Sequence, residues 1–234
     1  MFATSINEIN IFIIRHGESE GNVDRKVYQQ QANRLIELSN LGYKQAKSVG
    51  VFLAKNYTIH KNNSIIITSS FKRAFQTAES INNNLKIDMK TDDRIVERNF
   101  GLFEGLSKKE CLLRFPEEAL YFFQQKELNN TFFTTALMGE SPANVAIRFQ
   151  LFWKDFENFI KSSPHLKNVI IVAHGITNLI MQKELMNYSI DWFEKRKHSP
   201  NCAITKLVLN LQFWSMEDCG IIFTPELFDK NKKI

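Results

Sequence analysis

Two histidines in this chain stand directly after short β-branched runs. His16 follows INIFIIR (residues 9–15) and His174 follows NVIIVA (168–173). Arg15 precedes the first, and a third run, SIIIT (64–68), leads through Ser69 and Ser70 to Arg73. Guanidinium forks match phosphate oxygens and stay charged at any working pH. A neutral imidazole can attack phosphorus through one nitrogen when the other is held as a donor. A second imidazole can donate to the equatorial oxygens as charge develops there. Two arginines and two histidines at one rim would therefore make a phosphoryl-transfer pocket. The leaving alkoxide would still need a proton, and Glu97, in RIVERNFG (94–101), is the candidate donor. A surface ion pair with Arg94 or Arg98 is the competing role for Glu97, and Glu104 is the alternative acid. Arg98 is either a cation on the substrate side or half of a solvated pair.

These residues need a frame that brings them together. The three runs read as buried strands that end in loops. Ser39 is a helix N-cap, and Leu41, Ala46, Val49, Phe52 and Leu53 give that helix an apolar face. Residues 71–85 read as a helix with Phe71, Ala74, Phe75 and Ala78 on one side, and 86–96 as a short strand. The stretch 106–138 is aromatic and helical in places. Ser141-Pro142 opens another helix, with a stripe of Val145, Phe149, Phe152, Trp153, Phe156 and Phe159. A helix follows from about Thr177, and 202–209 and 220–223 read as late strands, the last at an edge. Strand–helix alternation predicts an α/β fold, a largely parallel sheet covered on both faces. Chemistry in such sheets gathers at the carboxyl ends of the strands, where the histidines and arginines fall.

The string Arg15-His16-Gly17-Glu18-Ser19 resembles the RHG motif of the histidine phosphatase superfamily, which includes the phosphoglycerate mutases. Further landmarks follow in family order: LSNLGYKQA (38–46), SSFKRAFQTAE (69–79), ERNFGLFEG (97–105), GES (139–141), VAHG (172–175) and PNCAIT (200–205). The resemblance implies a three-layer α/β/α sandwich over residues 1–234, a single domain with a helical, aromatic insert at about 106–140 over the active site. It implies His16 as the nucleophile that becomes phosphohistidine, Arg15 and Arg73 as phosphate clamps, and His174 as the second histidine on the phosphate. Glu97 corresponds to the general acid, and Asn22 to an asparagine that touches the phosphate. No metal and no cofactor enters such a mechanism.

Composition bounds the setting. Of 234 residues 44% are hydrophobic and 24% charged, which excludes disorder over most of the chain. A net charge of +5 is too mild to argue for nucleic acid. Cys111, Cys202 and Cys219 are too scattered for a disulfide framework, so a reduced, cytoplasmic protein is expected. No window is long enough for a membrane span. His60, His165 and His198 are expected at the surface, as is the run Lys195-Arg196-Lys197, and Cys202 in the core. The 20 phenylalanines are unusual, and Phe115, Phe122, Phe123, Phe132 and Phe133 fall in the insert, where core and pocket wall are both open.

The expected partner is a small phosphorylated substrate. Hydrolysis and mutase transfer share the same pocket chemistry. The insert has Lys108, Lys109, Arg114 and Lys126 but no Arg-Arg pair, and HGIT (174–177) stands where mutases have HGNS. Both features favour a metal-independent phosphomonoester hydrolase over a bisphosphoglycerate-dependent mutase, and over a module that binds a phospho-ligand without turnover. Substrate identity and oligomeric state are left open by the sequence.

Overall fold

The computed structural model describes residues 8–128 and 130–225. In chain order they form β1 (Glu8–Arg15), α1 (Glu20–Val23), α2 (Val27–Gln30), α3 (Asn40–Asn56), β2 (Ser64–Thr68), α4 (Lys72–Leu85), β3 (Asp88–Thr91), α5 (Lys108–Arg114) and α6 (Pro116–Glu127). Then come α7 (Pro142–Lys161), β4 (Asn168–Ala173), α8 (Gly175–Leu185), α9 (Ile190–Lys195), β5 (Ile204–Asn210) and β6 (Ser215–Phe223). The six strands make one sheet in the order β3-β2-β4-β1-β5-β6. β3, β2, β4 and β1 are parallel, and β5 and β6 are added antiparallel.

Side-chain alternation builds the layers. Ile9, Ile11 and Ile13 of β1, with Val169 and Ile171 of β4, pack under α7 and α8. Phe12 and Ile14, with Ile170 and Val172, pack under α3 and α4. Each central strand is thus apolar on both faces, as a parallel sheet between two helical layers requires. Burying each such side chain contributes roughly 1.5–3 kcal/mol. The α7 stripe is as expected: Phe149, Phe152 and Phe156 are buried, and Phe152 stacks on Phe156 at 5.5 Å between centroids. Ser141 caps this helix reciprocally with Asn144.

Some expectations are corrected. Leu41 is exposed, because the buried stripe of α3 runs through Gly42, Ala46, Val49 and Leu53, and Leu41 lies about 100° away from Gly42 on the helix. The strand expected at 86–96 is only Asp88–Thr91; Asp92 then caps a 3₁₀ turn, Asp93–Ile95, through the Arg94 amide. The helix after His174 starts at Gly175, with His174 itself as N-cap. Cys202 is buried but lies before β5, in left-handed backbone (φ 56°), where its amide reaches the carbonyls of Arg15 and His16. Within the insert, Phe122 and Phe132 are buried whereas Phe133 is 65% exposed.

Helices leaving β1 and β2 pack on one face of the sheet, and α8, leaving β4, packs on the other. The chain therefore parts at the carboxyl end of β4. A crevice opens at such a switch point, and ligands in open α/β sheets bind there.

Candidate active site

Parallel register delivers the two histidines. Arg15 pairs with Ala173 and Thr68 with Val172, so His16, Ser69 and His174 each come one residue beyond aligned strand ends. The His16 amide donates to the Ala173 carbonyl at 2.9 Å, and the Ser69 amide to that of Val172 at 3.0 Å. The imidazoles end with centroids 5.2 Å apart.

The bonds around His16 select one tautomer. Nδ1 is 2.7 Å from the Gly17 carbonyl, which can only accept, so Nδ1 carries the hydrogen. Arg73 Nε, which can only donate, is 3.3 Å from Nε2, so Nε2 carries a lone pair. Burial, then the nearby Arg73 and Arg15, push the His16 pKa well below its ordinary value. A neutral imidazole with a bare Nε2 is the nucleophilic form.

His174 is fully buried, and its Nε2 is 2.8 Å from Ser69 Oγ. That oxygen already accepts from the Phe71 amide at 3.2 Å. When Ser69 gives its proton to Nε2, His174 keeps its own on Nδ1, which is buried without a partner among the described residues. The edge of Phe71 packs on the ring at 5.3 Å. Burial, with Arg73 next, also lowers this histidine's pKa well below the ordinary value.

The two arginines are anchored by one arm each. Arg73, 2% exposed in the first turn of α4, donates Nη1 to both the carbonyl and the side-chain oxygen of Asn33 at 2.8 Å. Arg15 donates Nη1 to the Ser199 carbonyl at 2.6 Å, and its Nε is buried without a partner among the described residues. Arg15 and Arg73 thus keep donors for an anion. Asn22 is oriented in the same way: its Oδ1 takes the Ser19 amide and hydroxyl and the Asn201 amide group, which turns Nδ2 outward.

Glu97 sits at the N-terminus of α8. Its oxygens accept from the amides of Arg98 (2.9 Å), Ile176 (3.3 Å) and Thr177 (3.3 Å), and the Thr177 hydroxyl is 3.2 Å away. These donors fix the position of the carboxyl group at the helix start. The ion pairs considered for Glu97 do not form; Arg94 is taken by Asp92 and Asp155. Arg148 of α7 holds the segment from behind, through the carbonyls of Arg94 and Glu97 and the Glu140 carboxylate. Burial raises the Glu104 pKa, and Glu104 stands behind Arg73 beside Asn33.

Arg98 is not in a solvated pair. It is 4% exposed, donates to the carbonyls of Glu140 (2.7 Å) and Thr134 (2.9 Å), and lies over the Phe100 ring. Burial lowers its pKa to about 10. His60 and His165 are exposed, as expected. His198 is exposed too, yet packs against Gly175: a Cβ there would meet its Nδ1 at 3.0 Å.

Residues 11–221 match the profile of the histidine phosphatase superfamily, branch 1. The chain belongs to this superfamily. Among relatives of this superfamily member, a phosphoglycerate mutase-like protein of Arabidopsis thaliana is 26% identical over 85% of the chain, which spans 64% of that protein. Phosphoserine phosphatase 1 of Hydrogenobacter thermophilus is 25% identical, over 79% of this chain and 80% of its own. Among solved structures, mycobacterial glucosyl-3-phosphoglycerate phosphatase has the same fold, with a TM-score of 0.72, 20% identity, and coverage of 91% of this chain and 98% of its own.

The structure brings Arg15, His16, Arg73 and His174 into one cluster, with Glu97 close enough to act electrostatically on both arginines. Tyr28 on α2 acts on both in the same way. Tyr28, Asn33, Ser69 and Arg148 had no role in the sequence reading. Only Ser69 carried a signal, its place at a strand end.

Acid stability follows from the two buried histidines. Their folded pKa values lie below the ordinary 6.5, so below pH 6.5 the unfolded chain binds protons that the folded one refuses. Stability therefore falls as pH drops, with a slope that approaches about 1.4 kcal/mol per pH unit for each histidine. Urea melts at pH 7.0, 6.0 and 5.0 should show this fall. A His16→Asn variant should show a shallower one, provided it still folds.

Proposed function

We propose that this histidine phosphatase hydrolyses small phosphomonoesters through a phosphohistidine at His16, without a metal. The observation that carries this reading is the bare Nε2 of His16, fixed by the Gly17 carbonyl on its other side. In the first step Nε2 forms a bond to phosphorus, the bond to the ester oxygen breaks, and Glu97 in its acid form protonates that oxygen. The Arg15, Arg73 and Asn22 donors hold the equatorial oxygens, with His174 Nδ1 as a further donor. In the second step Glu97 takes a proton from water as its oxygen attacks phosphorus, the N–P bond breaks, and inorganic phosphate leaves. Arginines neutralise the phosphoryl charge throughout.

Hydrolysis is favoured over mutase transfer by the insert. Of its few cations, Lys108 is paired with Glu127, and Arg114 is the single arginine of residues 106–140, so no arginine pair is available there for a bisphosphate. The test uses p-nitrophenyl phosphate and a panel of sugar and hydroxy-acid phosphates with EDTA present, beside a coupled assay for phosphoglycerate isomerisation. Steady phosphate release with EDTA is expected. Isomerisation stimulated by bisphosphoglycerate and faster than hydrolysis would overturn the reading in favour of a mutase. Ligand binding with no turnover would favour a binding module.

Arg73→Ala should lower kcat/KM by about 10²-fold or more, because a charge-assisted clamp on the transition state is lost. The cost in stability should be modest, about 1–3 kcal/mol, for the acceptors of Asn33 left without a donor. A large fall in Tm with near-normal turnover would contradict the clamp role.

A further inference from the structure

Beside the catalytic cluster lies a cavity of about 280 Å³, enclosed by α6, the start of α8, α9 and the loop after it. It adjoins the proton donor. Ile176, on its wall, gives its amide to Glu97 Oε2 at 3.3 Å, and Arg98, also on its wall, is the next residue after Glu97. On the opposite side His198 packs against Gly175, the neighbour of His174. A group filling this space would extend from the leaving oxygen of a bound ester.

The apolar part of the wall is made by Phe100, Phe122, Ile176, Leu179 and Phe193. The charges are mostly positive, from Arg98, Lys126 and Arg196 against Glu194. Glu194 is already occupied, since its carboxylate accepts from the Thr131 amide (2.7 Å), the Thr131 hydroxyl (2.8 Å) and the Phe132 amide (2.7 Å). Arg98 is the reverse case. Its Nε and Nη2 are bonded to carbonyls, its Nη1 makes no hydrogen bond among the described residues, and it forms no ion pair there. Glu97, Glu140 and Glu194 lie near enough to act on this guanidinium, but none pairs with it directly, so Nη1 is the donor left for a ligand anion. The volume lies just below the ~300–1,000 Å³ range of small-molecule sites, which suits a single ring and not a nucleoside.

We propose that this cavity selects phosphate esters whose leaving group is one ring bearing a carboxylate, with the ring against the phenylalanines and the carboxylate on Arg98. Lys126 and Arg196 draw the anion in from the mouth. The proposal rests on the hydrolytic reading above for its chemistry.

The test compares kcat/KM for 4-carboxyphenyl phosphate, phenyl phosphate and 4-(aminomethyl)phenyl phosphate. The carboxylate ester should lead the neutral one by about tenfold or more, mostly through KM, and the cationic ester should be slowest. In Arg98→Met the ratio of carboxylate to neutral ester should fall toward one. Because that variant could lose folding stability, Lys126→Glu/Arg196→Glu is measured beside it, on two exposed side chains. There the ratio should fall severalfold. Equal rates for the carboxylate and neutral esters, or a ratio unmoved in folded variants, would overturn the cavity's role while hydrolysis stands. A binding arm needs no turnover: 4-hydroxybenzoate should raise Tm and phenol should not. If no ester is hydrolysed yet 4-hydroxybenzoate binds through Arg98, the hydrolytic reading fails and the anion subsite survives. Absence of that binding removes the subsite.

Discussion

Replacing His16 with Ala is expected to lower p-nitrophenyl phosphate hydrolysis by on the order of 10⁴-fold or more, the scale on which loss of a covalent nucleophile acts. The structure offers no substitute. His174 has Nε2 on Ser69 and is placed to donate from Nδ1, and the titratable groups acting on the two arginines are Glu97, Glu104, Tyr28 and the fully buried Cys202. Rapid quench with ³²P-labelled substrate should trap an acid-labile, base-stable phosphoenzyme in the parent and none in His16→Ala. A variant that turns over within tenfold of the parent, or labels equally well, would remove His16 from the nucleophile's position. The Tm of the variant must be followed alongside, since the Nδ1–Gly17 bond is lost with the ring.

Glu97→Gln should give a loss that depends on the ester. For alkyl phosphates, whose alkoxide cannot leave unprotonated, a fall of about 10²–10⁴-fold is expected. For p-nitrophenyl phosphate, which leaves as a stabilised phenolate, the first step should be little affected. The second step still lacks its base, so phosphoenzyme should accumulate and a burst should appear. Glutamine keeps one acceptor for the Arg98 and Thr177 amides, so the local fold should hold. Equal losses across all leaving groups would mean that Glu97 positions the site and moves no proton.

Much of the frame was legible because its signals are local. Three β-branched runs ending in His or Ser, a Ser-Pro helix start and a phenylalanine stripe each specify an element without help from tertiary contacts. Other features were decided only by folding. Arg98 was open between a substrate-side cation and a solvated pair, since sequence spacing cannot show that Glu140 and Thr134 would bring carbonyls to it from more than 30 residues away. Asn33 lies in an aperiodic stretch, and its hold on Arg73 depends on a 3₁₀ turn that no periodicity announces. The phenylalanines divided in a way composition could not reveal: Phe122 is shared between the insert's own core and the cavity wall, while Phe133 faces solvent.

The sheet's switch point has a consequence for how this enzyme could change its diet. The groups placed against phosphorus are fixed to the ends of β1, β2 and β4, inside a parallel ladder that tolerates little displacement. The proposed proton donor and part of the wall beyond it, Phe100, Phe122 and Lys126, come from the connection between β3 and α7, which is fastened by Arg148 and Glu140 at Asn99 and Glu97 and by Glu194 at Thr131 and Phe132. Attack and part of the choice are thus carried by separable stretches of chain. A chimera that takes a relative's residues across 100–139, with that seam kept, should form phosphohistidine at the parental rate and prefer the donor's esters. Selection could rewrite the substrate in this fold many times over without ever touching the reaction.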